Sequence, residues 1–161
     1  MKGRVRTQTY KRFYGAAIGF LFTLLPAAAP GIGMVYASPV SVDEHISATN
    51  ISNSLEYLED PDASLTIGQV RDLTGAVSWK RTAKDSVNFG YTKSAYWFRF
   101  TVADKRAIKS PLFLEIDFPT LDYLDFYFPG GEGAYREIST GDRRRFSSRG
   151  ILDRHFIFPL N

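Results

Sequence analysis

The chain has 161 residues, 44% hydrophobic and 15% aromatic, which suits one domain with a real core rather than two. Its formal charge of +3 comes from one end: Lys2, Arg4, Arg6, Lys11 and Arg12 precede every acid, and without residues 1–37 there are 15 Lys+Arg against 17 Asp+Glu. That balance excludes a nucleic-acid partner, which needs a basic surface, and the absence of cysteine excludes disulfides, a lipid-modified cysteine anchor and thiolate metal sites.

Residues 1–37 read as an export leader. The basic stretch ends at Arg12, an apolar centre follows at "AAIGFLFTLLPAAA", and Val35 and Ala37 sit at the −3 and −1 positions of a cut after Ala37. The competing reading is an uncleaved anchor, since residues 13–42 carry no charge. Pro26, Pro30, Gly31 and Gly33 break a helix in the second half of that run and favour cleavage. Either way the bulk of the chain is exported, periplasmic or extracytoplasmic, and it stays membrane-anchored if the leader is kept.

Residues 38–63 are rich in Ser, Asn and Asp, and read as a flexible entry segment closed by the break "DPD". One short helix is expected near residues 66–73. Thr66 and Gln69 fit a capping box, and Ile67, Val70 and Leu73 share a face. From Trp79 onward the pattern has period two. "AYWFRFTV" puts Tyr96, Phe98, Phe100 and Val102 on one face and Trp97, Arg99 and Thr101 on the other. "ADKRAIKSP" is a charged turn. "LFLEIDF" alternates again, with Leu112, Leu114, Ile116 and Phe118 inward and Phe113, Glu115 and Asp117 outward. "LDYLDFYF", "AYREIS" and "RHFIFPL" are further strands, the first two joined by the turn "PGGEG". Short strands at 8–15-residue spacing with a single helix predict an all-β antiparallel sandwich or jelly roll over residues 64–161. An open edge after the last strand leads us to expect that this domain is truncated at its C-terminus.

"NFGYTKSAYWFRFTV", "LFLEIDFPTLDYLDFYF" and "STGDRRRFSSRGILDRHFIFPL", in that order and spacing, resemble the type 2 extracellular domain of the bacterial seven-transmembrane receptors with diverse intracellular signalling modules. The resemblance covers residues 63–161. It implies a jelly-roll β-sandwich like a carbohydrate-binding module, a carbohydrate or related small molecule as ligand, and a membrane receptor portion as partner. This sequence lacks the strands that normally follow the F-x-F-P element, the receptor helices and the output module.

Glu115, Asp117, Asp122 and Asp125 invite a glycan-active enzyme as the alternative, with a paired acid and nucleophile. The competing reading, solvated strand faces and a turn aspartate, suits their alternation better, and we expect no catalytic residues. His45 and His155 are far apart with no acid spacing that makes a metal site, and Ser147 and Ser148 lack a nucleophile-elbow context. No metal and no cofactor is called for. Sugar rings stack on aromatics while polar groups bond their hydroxyls, so the ligand-binding candidates are Trp97, Arg99, Tyr91, Asp122 and Arg149, with Trp79 as a flanking aromatic. Against them stand ordinary roles: Trp97 under a second layer, Arg99 paired to an acid, and Arg149 paired to Asp122 or Asp117. Arg143–Arg145 read as a solvated turn or as an anion or partner contact.

Overall fold

A computed structural model describes residues 39–160 apart from 46, 74–78, 83–86, 91, 108–109 and 131–133, together with the backbone of 3–8 and 17–24. The chain is β throughout, with one short helix. Its strands are β1 (Gly3–Gln8), β2 (Ala17–Leu24), β3 (Val40–Val42), β4 (Ala48–Asn50), β5 (Glu56–Asp60), β6 (Lys80–Arg81), β7 (Ala95–Asp104), β8 (Leu112–Asp117), β9 (Tyr123–Pro129), β10 (Tyr135–Thr140) and β11 (Phe156–Pro159). The helix α1 spans Ile67–Asp72.

Two sheets share these strands. One has the order β11-β8-β1-β4; the other runs β10-β9-β2-β7-β5-β6, with β3 also paired to β7. The expected alternation holds on β7: Tyr96, Phe98, Phe100 and Val102 point into the main core with Leu114, Ile116, Leu124, Phe126, Phe156 and Phe158. Residues of both sheets meet there, and the Phe126 and Phe158 rings stack at 4.5 Å between them. Fully burying each such ring contributes about 1.5–3 kcal/mol, so this layer dominates the stability.

The sheets are mixed rather than purely antiparallel. The β9–β10, β5–β7, β5–β6 and β8–β11 pairs are antiparallel. β3 pairs β7 in parallel, and β1 and β2 pair in parallel with both neighbours. A tight turn forces antiparallel pairing, as between β9 and β10, where Gly130 N–H bonds the Ala134 carbonyl at 2.7 Å. Strands arriving over long connections are free of that constraint. The leader read from the sequence thus supplies β1 and β2 to the backbone; its cleavage position at Ala37 lies outside the described residues. No helix among the described residues is long and apolar enough to cross a membrane.

Residues 38–63 carry β3, β4 and β5, and bury Ile51, Leu55 and Leu58. Their polar composition conceals these anchors because the strands are short and half-buried. In the charged turn after β7, Arg106 is also buried, bound by Asp104 through Nε at 2.8 Å and Nη2 at 2.9 Å. That two-pronged geometry is what a buried guanidinium requires.

Candidate functional site

The outer face of the six-strand path begins with α1. Thr66 caps it: the Gln69 N–H donates to the Thr66 hydroxyl, and the Thr66 N–H bonds Gln69 Oε1 at 2.8 Å. Asp60, at the end of β5, accepts from the N–H groups of Ser64 and Leu65 at 3.2 and 2.9 Å, which fixes the loop into the helix. The helix therefore lies over β7 in a defined place. Val70, Leu58 and Trp97 form a second, smaller core with Leu65, Ile67, Leu73, Trp79 and Tyr127 around it. Trp97 is only 6% exposed.

Beside it, Arg99 stands in register with Glu56 and meets its Oε2 at 2.7 Å. Its guanidinium lies 4.3 Å from the Trp79 ring centre. On the other side, Trp97 stacks on Tyr127 of β9 at 5.7 Å. β2 runs between those strands and presents Gly19 in register with Trp97 and with Asp125.

The β9–β10 hairpin completes the face. Its register sets Tyr127 opposite Glu137 and Asp125 opposite Ser139. The Ser139 hydroxyl reaches Asp125 Oδ1 at 2.6 Å and also contacts Glu137. Arg144 approaches Asp125 at 3.7 Å. The Tyr127 hydroxyl is pushed up to about 12, first by burial and then by the charges of Glu137 and Asp125. It is therefore a protonated donor at neutral pH. The indole N–H groups of Trp79 and Trp97 are buried without an acceptor among the described residues. The face thus combines three aromatic rings, two buried indole N–H groups and a carboxylate pair on the neighbouring hairpin.

Of the candidates read from sequence, Trp97 and Arg99 come together here. Tyr91 lies outside the described residues. Asp122 sits at the corner before β9. Its carbonyl accepts from Arg143 N–H at 3.1 Å, and its carboxylate meets Arg143 Nε at 3.5 Å. Gly141 closes that corner with φ of +140°, where a Cβ would collide with the Asp122 carbonyl. Arg149 pairs neither as predicted nor with that corner. Its Nη1 donates to the carbonyls of Asp153 and Arg154, both at 2.6 Å, and its guanidinium lies 4.3 Å from the Phe156 ring centre. It holds the loop before β11.

Sequence reading missed Tyr127, Asp125, Ser139 and Glu137 as a unit. Counting outward from the "PGGEG" turn gives their cross-strand register, so the signal was present. Glu115, expected on a solvated face, is 1% exposed. Its Oε1 lies 2.8 Å from His155 Nδ1, while Asp117 Oδ1 lies 2.8 Å from Nε2. The loop before β11 folds His155 over these positions and takes Glu115 out of water, while Asp117 stays half-buried. Among the described residues no group of three or more His, Asp or Glu could hold a metal ion.

The family model described as 7TMR-DISM extracellular 2 matches residues 52–161. The match takes in α1 and every strand from β5 to β11. No curated protein and no solved structure matches the chain.

Proposed function

Because the chain belongs to the 7TMR-DISM extracellular 2 family, an extracellular receptor domain, we propose that it is a jelly-roll sensor, carbohydrate-binding-module-like, that takes a carbohydrate or related small molecule on its outer aromatic face. The jelly-roll reading is supported by the strand sequence, which leaves the longer sheet after β7, enters the other at β8, returns for β9 and β10 and leaves again for β11. Binding would act on a membrane receptor portion by favouring one of two arrangements of the domain. Export belongs to the same reading; a cut after Ala37 would take β1 and β2 out of the two sheets.

The observation that carries the ligand proposal is the Trp97–Tyr127 stack, flanked by Asp125, Ser139 and Glu137 on one side and by Arg99, Glu56 and Trp79 on the other. In this arrangement Trp97, packed under α1, backs the Tyr127 ring, and Tyr127 with the hairpin carboxylates is the accessible part. The test is a thermal-shift panel of oligosaccharides and cell-wall fragments on the full chain. A binder raises the midpoint by mass action, and Tyr127→Ala or Asp125→Asn abolishes the rise while keeping a cooperative transition. No rise with any sugar at millimolar concentration overturns the carbohydrate reading.

A further inference from the structure

On the four-stranded sheet, His155 makes contacts that no single protonation state satisfies. Nδ1 is 2.8 Å from Glu115 Oε1. A carboxylate only accepts, so Nδ1 carries a proton whatever the charge of the ring. Nε2 has two neighbours of opposite character. Asp117 Oδ1 lies at 2.8 Å and needs a donor; Arg154 Nε lies at 2.9 Å and is a permanent donor that needs an acceptor. Neutral imidazole offers Nε2 as a lone pair, which bonds Arg154 and repels Asp117. Protonated imidazole offers Nε2–H, which bonds Asp117 and repels Arg154.

We propose that His155 is a proton-operated partner switch, with Nε2 held by Arg154 when the ring is neutral and by Asp117 when it is protonated. Burial gives the switch its force. The His155 side chain is 9% exposed, so Nε2 depends on one of these two partners rather than on water. The backbone is held as well: Asp153 Oδ1 accepts the His155 backbone N–H at 2.9 Å. His155 immediately precedes β11, which among the described residues is the outermost strand of its sheet and pairs only with β8. Glu115 and Asp117 flank Ile116, the residue opposite Phe156. Proton occupancy therefore sets which contacts seat this edge strand. In an extracytoplasmic receptor domain, that couples the strand to the acidity of the medium, independently of any sugar.

The test is nitrogen- and carbon-detected NMR of the full chain between pH 8 and pH 5. At the alkaline end the ring shows the Nδ1–H tautomer and a slowly exchanging Arg154 Nε–H. Through the His155 titration the Arg154 signal is lost and the Asp117 carboxyl resonance moves with the same midpoint. At the pH where the two forms are equal in the unsubstituted chain, Asp117→Asn shifts their ratio about tenfold toward the Arg154-bound form and Arg154→Ala about tenfold the other way, as loss of one hydrogen bond to a charged group requires. A merely structural cluster would not give opposite shifts. An Arg154 Nε–H that is unchanged through the titration overturns the proposal in the unsubstituted chain alone, as does movement of both variants in one direction.

Discussion

Two outward-facing patches that look alike in sequence are held in opposite ways. Around Trp97 the chain buries rings and leaves two indole N–H groups without acceptors among the described residues. Around Glu115 it buries charge and surrounds one imidazole with partners on both nitrogens. Apolar contact tolerates an orphan N–H at a modest cost, whereas a buried carboxylate persists only with a counter-charge or donors. The first patch is therefore held by shape, and the second by its own charges.

The contrast breaks most visibly at His155. His155→Ala removes a partner from two carboxylates, one of them fully buried, and costs about 3–5 kcal/mol in the urea midpoint. Glu115→Leu combined with His155→Leu recovers most of that loss, because an apolar pair replaces a buried ionic one without lasting cost. A loss below about 1 kcal/mol for His155→Ala would mean that both carboxylates are solvated. The other patch responds to shape instead. Trp97→Ala costs about 3–5 kcal/mol. Trp97→Phe costs less than about 1.5 kcal/mol, since it keeps most of the volume and removes the orphan donor. A phenylalanine as damaging as alanine would show that the N–H has an acceptor.

The difference between the patches also explains what the sequence could tell. Period-two alternation placed β7 correctly, and the Thr66–Gln69 spacing located α1, because both are local rules. That α1 covers Trp97 depends on packing between elements and leaves no mark in a strand pattern. Glu115 and His155 are 40 residues apart and meet only through the β8–β11 register, which neither strand encodes alone. The parallel pairing of β1 and β2 was illegible for the same reason. Asp125, Tyr127, Glu137 and Ser139 were within reach, since a hairpin fixes its own register; reading the carboxylates singly hid them.

A smaller effect sharpens the account of the aromatic patch. Thr66→Ala removes the helix cap and costs about 1 kcal/mol. Because α1 is the cover of Trp97, the same change should move tryptophan emission to longer wavelength. Unchanged emission would mean that the cover does not depend on the cap.

The finest distinction lies in the alkaline range. Tyr127 is held neutral in the fold, its ionisation pushed from 10.0 to about 12 by burial and by the carboxylates of Glu137 and Asp125. The unfolded chain ionises near the ordinary value. Above it, the unfolded state releases a proton that the folded state retains, so unfolding gains free energy as pH rises. The contribution of Tyr127 is thus complete below pH 10 and declines between 10 and about 12. Tyr127→Phe has no proton to lose, so its stability should fall less steeply across that window, as read from urea midpoints at pH 9, 10 and 11. Equal slopes in the two proteins would place the hydroxyl in open water, and the rim of the aromatic patch would then be solvated in the same way as an exposed strand face.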